Sequence, residues 1–141
     1  AFDPREPGIS VPRIELRPMS GPERVGPFRL VPVPVEHGTV ETWGYRLEAG
    51  GKAVGYVPDC KHMPEESLNM LRGVDVMILD AAQPKPHPTH LSLDECADTL
   101  RRIDAPRSFV THLSHRLGHA ATESSLPKGM APAFDTLSIP V

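Results

Sequence analysis

The chain has 141 residues, a formal net charge of −3 and a pI near 6.2, with 39% hydrophobic and 23% charged residues. That length suits one compact domain, and the balance of apolar and charged residues excludes an intrinsically disordered chain. No stripe of lysine and arginine runs along it, which excludes the electrostatic footprint of a duplex nucleic-acid binder.

Ala1–Ser10 is polar and proline-bearing, unlike a signal peptide or a membrane span. The alternation Ile14-Glu15-Leu16-Arg17 predicts a strand within Val11–Met19. Phe28–Val35 alternates again, and Pro32 and Pro34 within it predict an edge strand or one that ends near His37. Thr42–Ala49 and Ala53–Val57 flank Gly50-Gly51, a hairpin signal. Pro64–Leu71 reads as a short helix with Pro64 in its first turn and Gly73 just past its end.

Val74–Leu79 is a continuous apolar run, the pattern of a strand buried on both faces. A proline-laden loop covers Ala81–Thr89. Ser92-Leu93-Asp94-Glu95 is a capping box, and Leu93, Cys96, Ala97, Leu100 and Ile103 form one apolar helical stripe. Ser108–Val110 reads as a strand ending at Thr111-His112. A helical turn is expected over Ala120–Leu126, ahead of Pro127, and closing strands around Ala133 and Leu137.

Strands interleaved with helices predict an α/β architecture, a mixed sheet with flanking helices. One long amphipathic helix and one short one cannot cover both faces of such a sheet, so further protein is expected against it. The 17 prolines imply stiff turns between short elements. Cys60 and Cys96 lack CxxC spacing and read as reduced thiols of a cytoplasmic protein.

The seven histidines carry the functional signal. His37 closes one strand, Asp59 follows another, His90 precedes the capped helix, and His112 ends a third strand with His115 three residues on. Strand ends of one direction converge on one edge of a sheet, which is where α/β folds build sites. Imidazole and carboxylate together suit Zn²⁺, Mn²⁺ or Fe. A single histidine at a strand end is more often a turn residue than a ligand, and an aspartate there is more often a cap. The case rests on four such positions together. His62 and His119 read as surface or capping residues, and His87, between Pro86 and Pro88, as a loop-shaping one. Asp80, at the end of the buried run, is placed to hydrogen-bond near the site, with a structural role also open.

Four strings in this order resemble the metallo-β-lactamase-fold hydrolases: Val74-Asp75-Val76-Met77-Ile78-Leu79-Asp80-Ala81, Pro86-His87-Pro88-Thr89-His90-Leu91-Ser92, Thr111-His112-Leu113-Ser114-His115 and Ala133-Phe134-Asp135. Within that superfamily the chain is most similar to the branch of the phosphoribosyl 1,2-cyclic phosphate phosphodiesterases and, more distantly, ribonuclease Z. The likeness runs from about Pro32 to the C-terminus. It implies that His37 ligates a first metal, Asp59 bridges two metals, His112 ligates the second, and His90 stands by the scissile phosphate as a general acid or charge stabiliser. His115 would support these from behind. The implied cofactors are two divalent transition metals, zinc or manganese.

The resemblance covers only the second half of the four-layer αββα sandwich. The first-half signature His-x-His-x-Asp-His is absent, and no histidine precedes His37. Residues 1–141 are therefore expected to be a C-terminal half-domain. Three alternatives follow: a piece of a longer chain, a half completed by a second chain, or a non-catalytic half-domain that dimerises through its uncovered sheet. The activity expected of the complete protein is hydrolysis of a small cyclic phosphate or nucleotide-like phosphodiester, with thioester or lactone hydrolysis as the alternative. No membrane partner is expected.

Overall fold

The computed structural model describes residues 15–141. Seven strands form a single mixed sheet in sequential order: β1 (Glu23–Val25), β2 (Phe28–His37), β3 (Val40–Ala49), β4 (Lys52–Val57), β5 (Val76–Asp80), β6 (Arg107–Thr111) and β7 (Met130–Pro132). The first four pair antiparallel and the last four parallel, with helices α1 (Glu65–Leu71), α2 (Leu93–Ile103) and α3 (His119–Ser125) in the three parallel crossovers. The expected α/β class, a mixed sheet with flanking helices, is what forms.

Local chemistry explains most elements. Gly50 and Gly51 both have positive φ, 58° and 78°, which lets a two-residue turn join β3 to β4 with the native twist. The capping box closes as expected: Ser92 Oγ accepts from the Glu95 amide, while Glu95 Oε2 accepts from the Ser92 amide at 2.8 Å. Asp104 ends α2 in the left-handed conformation.

The prolines of β2 fit for a topological reason. Pro32 and Pro34 pair with Tyr45 and Trp43 of β3, while β1 reaches only as far as Leu30 on the other side. Their missing N–H groups therefore face a stretch without a ladder. That flank is partly sealed by Ser67, whose hydroxyl donates to the Pro34 carbonyl at 2.5 Å, and by a bridge from Glu36 to His62.

Among the described residues, two stretches expected to be strands are not. Residues 15–19 have no regular structure and Leu16 is 90% exposed; Val11–Ile14 lie outside the described residues. Around Leu137 the chain turns instead, with Thr136 at φ 72° and the Leu137 amide bonded to the Phe134 carbonyl. Ala133 only continues β7 with one bond to Val110.

The core lies on one face of the sheet. Val33, Val57, Met77, Leu79 and Val110 pack there against Leu68 and Leu71 of α1 and Leu100 and Ile103 of α2. The opposite face carries an in-register row, Pro32, Tyr45, Tyr56, Ile78 and Phe109, running from β2 to β6. Its members are half-buried or exposed, Tyr56 at 41%, and Trp43 at 44% stands on the same face. The expectation that the helices would cover only part of the sheet is met. No helix among the described residues is long and apolar enough to cross a membrane.

Candidate metal centre

β2, β4, β5 and β6 run in one direction, so their C-terminal ends share an edge of the sheet. That edge gathers His37 from the end of β2, Asp59 from just beyond β4, His90 from the loop before α2, and His112 from just beyond β6. The connecting loops are laced by backbone bonds, Lys61 to Glu36, Leu91 to Cys60, Ala81 to Thr111 and Ser114 to Ala82.

One ligand atom from each of His37, Asp59 and His90 lies within 4.8 Å of the others. Asp59 Oδ1 is 3.3 Å from His37 Nδ1 and 3.1 Å from His90 Nδ1. The latter approach is not aligned as a hydrogen bond, so Asp59 Oδ1 and His90 Nδ1 are both buried without a partner. Unpartnered buried donors and acceptors are costly, and clusters of them mark sites that take a ligand. His37 Nδ1 lies 2.7 Å from the Thr89 carbonyl, which can only accept, so that nitrogen carries the proton and Nε2 keeps its lone pair. This is how ligating histidines are usually oriented.

Asp80 is fully buried and ties the loop after β4 to both ends of the loop between β5 and α2. Its Oδ1 accepts from the Ala82 amide at 3.0 Å, and its Oδ2 accepts from the Cys60 and Leu91 amides, both at 3.3 Å. The same Oδ2 lies 3.4 Å from His90 Nδ1. Burial pushes the Asp80 carboxyl above the usual range, opposed by those amides and by His90 and His112. It thus holds the loops and touches the site at once. Burial, reinforced by Asp80 and Asp59, pushes the Cys60 thiol up to about 12, which keeps it neutral beside Asp59. Cys60 and Cys96 are both free and buried.

His112 stacks beside His90 at a centroid distance of 5.2 Å and an interplanar angle of 25°. Its backbone is left-handed, φ 60°, a conformation that costs on the order of 1–3 kcal/mol in a residue with a Cβ. His112 is exposed and lies outside the close group of His37, Asp59 and His90. His115 is exposed in the following loop and makes no hydrogen bond or ion pair among the described residues. His87, read as loop-shaping, does accept from the Thr89 amide at 3.3 Å, yet its ring also stands 5.4 Å from that of His90. Sequence reasoning missed this second placement; the signal was only its spacing three residues before His90.

The family model of the Beta-lactamase superfamily domain matches residues 2–113. Among solved structures, a diphosphatase from the PhnP family is similar at TM-score 0.79 and 37% identity, over 86% of this chain and 46% of that one. Zn²⁺-bound PqqB from Methylobacterium extorquens follows at TM-score 0.68 and 17% identity, over 83% and 52% of the two chains. Human tRNase Z, short form, gives TM-score 0.65 and 18% identity, over 84% and 46%. At those identities the last two show a shared fold. The chain spans about half the length of these three structures and 19–23% of curated proteins that it matches.

Proposed function

The chain belongs to the Beta-lactamase superfamily domain family, whose relatives include metallo-β-lactamase-fold hydrolases, and on that footing we propose that it carries half of a dinuclear metal site for hydrolysis of a small phosphodiester. The observation that carries this reading is the convergence of His37, Asp59 and His90, with Asp59 Oδ1 and His90 Nδ1 left unpartnered. The diphosphatase relative, at 37% identity, supports phosphoester chemistry over thioester or lactone chemistry.

The donor set fits divalent zinc or manganese: two neutral imidazoles and a carboxylate with two oxygens. In this reading His37 and His112 would each hold one ion, and Asp59, with two carboxylate oxygens, would serve both. The remaining ligands come from a missing N-terminal half or a second chain, so residues 1–141 act as a C-terminal half-domain. When bound, the ions supply a water of lowered pKa and positive charge against the phosphate oxygens.

The chain's own groups do the rest. The Thr89 carbonyl holds the His37 ring with Nε2 free. Asp80 Oδ2 stands 3.4 Å from His90 Nδ1 and sets a buried carboxyl beside that imidazole. His90 then presents its other nitrogen to the ester and gives a proton to the departing alkoxide.

The test is elemental analysis of this chain beside the full-length protein, followed by a phosphodiester assay. About two transition-metal ions per full-length chain, with turnover, supports the proposal. Full-length protein that binds no metal would sink it and leave a half-domain that dimerises through the Tyr45–Phe109 face.

A further inference from the structure

An open cavity of about 450 Å³ lies at the end of the sheet remote from the metal centre, beside the Gly50-Gly51 turn. β4 leaves this end at Lys52 and Asp59 follows its other end, so roughly 20 Å separates the two. The lining carries four cations, Arg24, Arg29, Arg46 and Lys52, against two carboxylates, Glu48 and Asp75. That is a local surplus of two positive charges in a chain whose net charge is −3. Both carboxylates are already committed. Glu48 gives one oxygen to Arg46 at 2.7 Å and the other to Arg29 at 2.8 Å, and those guanidiniums hold its carboxyl below the usual range. Asp75 takes Lys52 on one oxygen and the Ala53 amide on the other, both at 2.9 Å. Arg46 is further spent on the Met70 and Arg72 carbonyls. Arg24 and Arg29 are exposed and largely idle. Arg29 uses a single N–H donor of its fork, and Arg24 makes no hydrogen bond or ion pair among the described residues.

Period two puts Arg29 on the side of β2 that carries Val33 into the core, and Glu48 stands opposite Arg29 in register. The cavity therefore lies on the helix face, beside Gly73 at the end of α1, and covering the Tyr45–Phe109 face would leave it accessible. No aromatic ring lines it, so nothing there stacks a base, and recognition falls to charge. Arg24 comes from β1, Arg29 from β2 and Lys52 from β4, so the donors arrive from three strands. A phosphate presents oxygens in several directions, which suits that spread better than a planar carboxylate, and guanidinium forks pair with it readily. We propose that this cavity binds a small polyanion bearing phosphate, at a site separate from the metal centre.

The experiment titrates inorganic diphosphate into metal-stripped full-length protein at low ionic strength, with heat as the readout. Saturable binding is expected, weakened roughly tenfold when Arg24→Ala and Arg29→Ala are combined. Arg24→Gln alone breaks no bond among the described residues and should weaken binding about threefold, which covers a double variant that fails to fold. No saturable heat at millimolar diphosphate overturns the site. So does binding that neither variant weakens, since the anion would then sit elsewhere. Malonate, a dianion of two carboxylates, is expected to bind several-fold more weakly. Equal affinity would mean attraction by charge without recognition of phosphate, and would overturn the assignment.

Discussion

Nδ1 of His37 donates to the carbonyl of Thr89 across 2.7 Å, joining residues 52 apart in sequence. Thr89 immediately precedes His90, so one bond fixes a proposed ligand and the backbone that presents the proposed acid. His37→Ala is expected to weaken metal binding of the full-length protein by at least one to two orders of magnitude, the usual loss even for an outer-shell partner. Competition with a chelating dye measures it. Unaltered affinity would remove His37 from the ligand set.

His90→Ala separates two roles for one imidazole. As proton donor, its loss should leave metal content intact and lower kcat by about 10²- to 10⁴-fold. Elemental analysis and kinetics on the same sample decide. If metal and rate vanish together, His90 is a ligand, as its 3.1 Å approach to Asp59 permits.

Asp80→Ala tests the buried carboxylate. The Leu91 amide would keep its 2.9 Å bond to the Cys60 carbonyl, but the Cys60 and Ala82 amides would be stranded. Two orphaned buried donors predict a loss of about 2–4 kcal/mol in urea unfolding. A loss under about 1 kcal/mol would mean that water replaces the carboxylate.

Glu95 gives the fold an acid-side pH dependence. Burial alone would raise its pKa, yet the Lys61 ammonium and the Ser92 amide and hydroxyl outweigh it and hold the carboxyl below the usual range. A depressed folded pKa stabilises above the unfolded value of about 4.3, and that stability is lost as pH falls through the folded pKa. Since the pair is partly exposed, the contribution is about 0.5–1 kcal/mol. Glu95→Gln should flatten the stability profile below pH ~4.5; an identical acid limb in both proteins would contradict this.

Gly44 is where β3 passes over β4 with no room for a side chain. A Cβ there would stand 2.4 Å from Val57 Cγ2 and 3.0 Å from the Tyr56 carbonyl. Gly44→Ala should cost about 1–3 kcal/mol through overpacking. Because Val57 lies two residues before Asp59, metal affinity should fall as well. Thermal unfolding with and without metal reads both effects.

What the sequence disclosed follows from the range of the forces involved. The α2 helix was legible because its cap and apolar stripe are local signals, complete within Ser92–Ile103. The Gly50-Gly51 turn was legible for the same reason. A strand over residues 15–17 was not refuted by any local feature; alternation makes a strand only when another strand pairs with it, and that is a tertiary fact. The likeness of His37, Asp59, His90 and His112 to a site came from three positions at strand ends and one just before a capped helix. That His87 also stands beside His90 depends on how the proline loop folds back, which no periodicity encodes.

The left-handed backbone at His112 has a consequence of its own. Glycine would adopt φ 60° without penalty, so His112→Gly should relax the loop, yet it would remove the imidazole stacked beside His90. Resistance to heat and the proposed capture of an ion are therefore opposed at this one position, and a search for hardier variants would be drawn to a substitution that removes the proposed ligand.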